Sequence, residues 1–307
     1  MIDMHHDLLS IIYYSYLRND NTYLMEWIKN FNGDNVSGIL ANLYFMNKEE
    51  MKEEIGDKEI NVLEMFKIST ELFRKYLPET EVVYSIEGCD YIENPTELEK
   101  LYKLGLRNIL LVWNNPNKYG SGNRGDYGLT DEGRKFLLKA IELGICIDMS
   151  HMNKKTFSDT IELIKRERAL GRKVKVIVSH SNSYELCDHE RNLSDEQLRQ
   201  LKEVDGILGV VGYGDFVSSD VTNLKKMYLE HIKRAVSIMG IDNVGVSTDD
   251  MTFATRIFGE DEETMVFNYS TVKKELIELL KNDFSVTEIE KILYKNINDK
   301  LFKEEKI

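Results

Sequence analysis

The sequence predicts a parallel (β/α)8 TIM barrel with extra helices at its C-terminal end. Short β-branched apolar runs alternate with longer stretches of helical period along the whole chain, the pattern of repeated βα units. No Gly/Ser-rich linker or low-complexity tract interrupts the chain, and only three prolines occur in its 307 residues. Several of the apolar runs also carry a carboxylate or imidazole at their C-terminal end, where a barrel gathers its loops. An open doubly wound sheet is the competing topology. Barrels often reach this length as one unit, so residues 1–307 are read as a single barrel domain.

Eight strands are expected, at 1–4, 36–45, 81–87, 108–113, 145–150, 174–180, 207–213 and 243–249. Amphipathic helices are expected over 130–143, 153–168 and 223–239. In the first of these, Thr130 precedes an acidic turn, and Phe136, Leu137, Ala140 and Ile141 share one face. Gly144 stands where a left-handed residue would end the helix. The segment 47–77 is longer than one crossover needs and has room for two helices. Beyond the eighth strand, 264–281 and 286–303 read as two further helices.

Hydrophobic residues make up 42% and charged residues 30%, a mix able to bury a large core. A net charge of −13 argues against nucleic acid or an anionic membrane as partner, because both demand a basic face. Cys89, Cys146 and Cys187 are odd in number and widely spaced, which favours reduced thiols over a disulfide framework. The opening MIDMHHD has neither a basic nor an apolar leader region, and the apolar runs fall short of the roughly 20 residues that span a bilayer. A cytoplasmic chain is therefore expected.

The polar residues at the strand ends define the candidate site. His5 and Asp7 follow the first strand, Glu87 ends the third, His151 the fifth, His180 the sixth and Asp249 the eighth. Imidazoles and carboxylates in this combination suit zinc, and a carboxylate can bridge two ions about 3.5–4 Å apart. Alternation turns His5 and Asp7 to the same side and His6 away. Each residue also has a plain reading. Glu87 can cap the helix after Gly88, His151 can be a satisfied core histidine, and His180 can belong to turn chemistry within SHSNS. Together they are harder to dismiss, since four of the six histidines, His6 included, fall at strand termini. His6, His189 and His231 are assigned to structure or surface.

These residues resemble the membrane (renal) dipeptidase family of zinc peptidases, and the likeness runs over nearly the whole chain. IDMHHDLL is similar to the family's D-G-H-x-D-L opening, with Met4 in place of the glycine. SIEGCD resembles its I-E-G segment, IDMSHMN its D-x-(S/A)-H segment, SHSNSYELCDHERN its S-H-S…R-N segment and GVSTDDM its G-x-x-x-D segment. EIEKILYKNINDKLF is similar to its closing helix. Five motifs in the right order and spacing are specific where any one is modest.

The resemblance implies a metal-dependent hydrolase barrel with two zinc ions per chain. His5 and Asp7 would hold one, His151 and His180 the other, and Glu87 would bridge them. Arg191 matches the arginine that holds the substrate carboxylate, although beside Glu190 a surface ion pair would otherwise be its plain reading. Asp249 matches the acid that handles protons. Attack of a metal-bridging hydroxide on the amide bond of a dipeptide is the implied reaction, so a dipeptide or small amide is the expected partner. A homodimer is compatible with the sequence. One departure stands out: in LLVWNNPN, Trp113 occupies the position of the family's strand-four histidine, implied to polarise the scissile carbonyl. An indole donates one hydrogen bond but carries no charge, and Asn114 or Asn115 can offer a neutral donor instead. Two other readings stand beside this one. The same site can hydrolyse a non-peptide amide or lactone, or the barrel can be a non-catalytic binding protein.

Overall fold

The computed structural model describes residues 1–31, 36–45, 61–252 and 264–303. Eight parallel strands run in sequence order: β1 (Ile2–His6), β2 (Gly38–Tyr44), β3 (Glu81–Glu87), β4 (Leu106–Leu110), β5 (Cys146–Asp148), β6 (Val176–Ser181), β7 (Ile207–Val211) and β8 (Val244–Ser247). β8 returns to β1, where the Asp249 amide donates to the His5 carbonyl at 3.2 Å. The Thr248 amide donates to Asp3 Oδ1 at 2.9 Å and its hydroxyl to Oδ2 at 2.5 Å. Asp3 is fully buried, so these bonds satisfy a carboxyl that would otherwise be costly at the closure seam. This is the barrel expected from the sequence.

The expected strands are all present, several shorter than their apolar runs. β5 stops at Asp148 because the next polar group serves a local turn: the Ser150 amide donates to Asp148 Oδ1 at 3.1 Å instead of to a neighbouring strand. The helix expected from 130 spans Asp131–Leu143 (α5), with Thr130 capping the Gly133 amide at 3.0 Å and Gly144 left-handed at φ 73°. Lys154–Ala169 (α6) starts after Asn153, whose side chain accepts from the Thr156 amide at 2.8 Å, and Leu224–Met239 (α8) matches its expected span. The remaining α-helices among the described residues are α1 (Leu8–Arg18), α2 (Thr22–Phe31), α3 (Val62–Tyr76), α4 (Pro95–Lys103), α7 (Asp195–Glu203), α9 (Val272–Leu280) and α10 (Val286–Glu290), with a four-residue helical turn at Gly214–Val217.

Two corrections to the helix reading have clear causes. α1 was not assigned because Leu8 to Ser15 is buried without a break, so its sequence shows no polar face to set a helical period. The helix expected over 264–281 is confined to α9 and the turn before it, because Met265 pairs with Tyr213 in an isolated bridge and Asn268 caps the Ser270 amide at 3.0 Å. Of the two helices allowed within 47–77, α3 is present, and 47–60 lies outside the described residues. No helix among the described residues is long and apolar enough to cross a membrane.

The lower barrel interior is a packed plug of Ile2, Met4, Leu40, Val83, Ile177 and Ile207. Ile297, with Tyr294 and Phe302 beside it, closes that end from the C-terminal helical segment. Met4 packs against a glycine on the neighbouring strand β8. A Cβ on Gly245 would lie 2.4 Å from Met4 Sδ, so the long thioether takes the space that a side chain on β8 would need. With its base filled, the barrel is free to carry chemistry only at the opposite rim.

Candidate metal centre

Local irregularities deliver the polar side chains to the rim. Between Asp3 and His6, β1 advances three residues while β2 advances two, and β6 does the same against β7 between Val178 and Ser181. Such bulges re-aim side chains, and His5 and His180 lie within them. His151 and Asp249 follow the ends of β5 and β8 in left-handed conformations, φ 67° and 47°. Backbone strain in residues other than glycine is typical of sites where surrounding structure imposes a geometry.

Glu87, at the end of β3, is the centre of the arrangement and is buried. Its Oε1 lies 2.7 Å from His151 Nε2 and 3.7 Å from His180 Nε2, while Oε2 lies 3.1 Å from His5 Nε2. His5 Nε2 is also 3.7 Å from Asp7 Oδ1 and 3.6 Å from Asp249 Oδ1. The donor atoms of His5, Glu87 and His180 therefore lie within 4.8 Å of one another, as do those of His5, Asp7 and Asp249. All six residues singled out at the strand ends come together, with Glu87 between two histidine groups. His6 points outward, edge-on to Trp27 and Tyr269 at 4.8 and 5.2 Å between ring centroids. His231 bonds the Ser183 amide and the Val217 carbonyl, a structural role, while His189 lies tilted against Phe216 at 4.6 Å between ring centroids.

The electrostatics are those of clustered acids and imidazoles out of water. Burial pushes His5 down, but Glu87, then Asp249 and Asp7, outweigh it and hold the imidazole up at about 10. Burial lowers His151 to about 3, with the Arg191 charge acting in the same direction. Burial, with His5 and Arg191, also keeps His180 well below the usual histidine range. Burial and Glu87 raise Asp7 well above a normal carboxylate. Burial opposes ionisation of Glu87 as well, yet His5 and His151 together hold it well below its usual range.

The donor set fits metal ions, and the hydrogen bonds behind it show why. Asn114 Oδ1 lies 2.9 Å from His151 Nδ1, and with the amide in this orientation its oxygen accepts, so Nδ1 carries the hydrogen and Nε2 presents a lone pair. That lone pair faces Glu87 Oε1 at 2.7 Å and His180 Nε2 at 2.9 Å. Electron-rich atoms at such distances need a cation or a proton between them. Asp7 Oδ1 is buried without a hydrogen-bond partner among the described residues. Asn42 presents its amide nitrogen to His5 Nδ1 at 2.9 Å and leaves its own buried Oδ1 unpartnered. Turning that amide over sets its oxygen on a His5 Nδ1–H and frees His5 Nε2 as a ligand.

Beside this cluster lies a cavity of about 470 Å³, lined by His151, Met152, Lys154, Tyr184, Arg191 and Leu193 among others. Arg191 is buried, its Nη2 has no hydrogen-bond partner among the described residues, and burial lowers its pKa to about 10. The loop that carries it is held from below, the Ser181 hydroxyl donating to the Arg191 carbonyl at 2.8 Å. Its guanidinium makes no ion pair with Glu190 among the described residues and lies 5.4 Å over the Phe216 ring. Trp113 stands on the other side of His151, its ring 6.2 Å from the imidazole and 4.9 Å from Tyr44.

Several supporting residues were not legible as functional. Asp148 Oδ1 accepts from the Ser150 hydroxyl at 2.9 Å and from the Ser179 amide at 3.0 Å, tying the β5 and β6 ends together. Ser179 Oγ meets His180 Nδ1 at 2.8 Å, and Asn108 donates to Asp148 Oδ2 at 3.3 Å. A signal did exist. Asn42, Asn108 and Asp148 are polar residues inside otherwise apolar strand runs, where an unpaired group would be costly.

An eight-stranded parallel barrel with imidazoles and carboxylates gathered at one rim defines a barrel protein with a candidate metal centre. The chain belongs to the membrane dipeptidase family (peptidase family M19), whose model matches residues 48–305. The match begins after His5, Asp7 and Asn42, so the place of those three in the site rests on the fold. An uncharacterised protein of Acinetobacter calcoaceticus is 33% identical over 148 residues, which are 45% of this chain and 44% of that protein. An uncharacterised dipeptidase of Schizosaccharomyces pombe is 29% identical over 178 residues, 55% of this chain and 41% of that one. The matched segments thus span less than half of these relatives. Among solved structures, a metallopeptidase from Rhodobacter sphaeroides, liganded with a phosphinate mimic of the dipeptide L-Ala-D-Ala, superposes with a TM-score of 0.74 at 17% identity, covering 97% of each chain. That likeness is one of fold.

Proposed function

We propose that this chain is a single-domain binuclear zinc hydrolase that cleaves the amide bond of dipeptides. The observation that carries the reading is the bare His151 Nε2 facing Glu87 and His180, with an unpaired buried Arg191 on the adjoining cavity wall. In this reading His5 and Asp7 would hold one ion, His151 and His180 the other, and Glu87 would be shared between them. Three imidazoles with carboxylates are a borderline donor set suited to zinc. When bound, the ions supply Lewis-acid polarisation and lower the pKa of a coordinated water toward about 7. Arg191 receives the substrate's C-terminal carboxylate through paired N–H donors, fixing the register and favouring short substrates. Asp249 takes the proton of the attacking water and returns it to the leaving amine. Three unpaired cysteines, two of them buried, support a reducing compartment, the cytoplasm.

The test is a metal assay joined to a panel of L-L and L-D dipeptides. About two zinc equivalents per chain are expected in protein prepared without chelator. His151→Ala or His180→Ala should lower that toward one, and zinc-supplemented protein that holds none would sink the reading.

Trp113 supports a second reading, hydrolysis of a non-peptide amide or lactone on the same centre. The indole fills the place beside His151 where an imidazole could donate to an oxyanion, and losing one such donor can cost about 10²–10³ in rate. If Trp113 shapes the cavity for another substrate, Trp113→His lowers that activity, through the gap it leaves, without yielding a good dipeptidase. A rise in kcat on ordinary dipeptides would instead restore the first reading.

A further inference from the structure

We infer that Asn114 is the positioning residue for His151, and that the loop after β4 is built around that single hydrogen bond. The inference rests on the binuclear reading, within which it assigns a task to a region of the rim that supplies no ligand. β4 contributes neither carboxylate nor imidazole to the cluster, yet the loop that follows it wraps the turn carrying His151.

Two features make His151 dependent on an outside partner. It sits at φ 67°, a left-handed conformation that a residue other than glycine keeps only where its surroundings hold it. Its imidazole must present Nε2 as a lone pair, so the hydrogen must reside on Nδ1. Asn114 Oδ1, at 2.9 Å, fixes both the ring orientation and the tautomer, because an amide oxygen accepts and never donates. The corresponding partner of His180 is the Ser179 hydroxyl, at 2.8 Å, which can accept or donate and dictates no tautomer.

The loop is pinned at the points that matter for Asn114. The Arg124 amide donates to the Asn114 carbonyl at 2.9 Å, closing the loop on itself. Gly122 pairs with Met152, the residue after His151, in an antiparallel bridge. The Asn153 amide donates to the Ser121 carbonyl at 3.1 Å, and the Asn153 side chain donates to the carbonyls of Gly125 and Tyr127, each at 2.9 Å. His151 and its holder are thus clamped as one unit. The clamp needs a glycine, because a Cβ at residue 122 would lie 1.9 Å from the Trp113 carbonyl oxygen and 2.5 Å from that of Asn114. A methyl group there must push Asn114 off His151, which makes Gly122 a second positioning residue through the first.

The experiment compares Asn114→Ala, Asn114→Asp and Gly122→Ala with the parent, using competition titration against a chromogenic chelator, the absorption spectrum of the cobalt-substituted protein, and thermal melting. Asn114→Ala should weaken one of the two ions about 10–100-fold, leave the other unchanged and alter the cobalt spectrum. Gly122→Ala should behave likewise. Asn114→Asp, which accepts the same hydrogen, should restore the parental affinity. Parental affinity in Asn114→Ala, or a loss that Asn114→Asp fails to rescue and that tracks a fall in melting temperature, would overturn the inference. Imidazole ¹⁵N shifts of the metal-free protein give a reading independent of the metals. His151 should carry its hydrogen on Nδ1 in the parent and lose that preference in Asn114→Ala. A parent that binds no metal yet shows this tautomer defeats the binuclear reading alone, and a parent with the hydrogen on Nε2 defeats the role of Asn114.

Discussion

Asp249→Asn is expected to lower kcat on dipeptides by about 10²–10⁴-fold, the usual contribution of a positioned general acid–base group, while leaving zinc content at the parental level. The substitution is well suited to isolating the proton-transfer role. Asparagine keeps the shape of the side chain and is among the residues that best tolerate the left-handed backbone at this position, φ 47°. The Asp249 amide still donates to the His5 carbonyl, so the β8–β1 closure is retained. What disappears is the ability to accept a proton and give it back. Asp249 Oδ1 also lies only 3.6 Å from His5 Nε2, so a ligand role is the rival explanation. Steady-state kinetics joined to elemental analysis separate the two. Loss of an equivalent of zinc would transfer Asp249 from proton handling to metal holding.

Arg191→Ala should raise KM for dipeptides about 10–100-fold with kcat and zinc content little changed. A hydrogen bond to a charged group is worth about 1.5–3 kcal/mol, and each 1.4 kcal/mol is a factor of ten. Amidated dipeptides should be poor substrates of the parent for the same reason, and equal cleavage of free and amidated forms would remove Arg191 from substrate binding. Stability offers a second check. The guanidinium is buried with Nη2 unpartnered among the described residues, so its removal should leave the melting temperature unchanged or raise it. A marked fall would show that Arg191 is a structural residue. Arg191→Lys should recover only part of the affinity, because an ammonium cannot match a carboxylate bidentately.

Much of the fold was legible because its signals are local. β-branched runs mark strands, and Thr130 with Gly144 marks both ends of α5 before any tertiary contact is known. Where a segment is buried on every side, as from Leu8 to Ser15, that signal vanishes, since a helix without a polar face has no period to read. The site residues were legible for a different reason. Each polar group at the end of an apolar strand has a plain reading alone, but His5, Asp7, Glu87, His151, His180 and Asp249 stand out as a set.

What the sequence by itself determined is the list of strands, the residue types at their ends and the family motifs that order them. Only the tertiary structure decided which of those groups meet and in what state. Bulges in β1 and β6, set by pairing with neighbouring strands, aim His5 and His180 at Glu87. The tautomer of His151 depends on Asn114, 37 residues earlier in the chain. The space beside Gly245 is filled by Met4, from the opposite end of the sequence. Residue type and periodicity are properties of a segment and survive in the unfolded chain. Ring orientation, proton position and the burial that shifts pKa values depend on partners that closing the barrel brings together from distant segments.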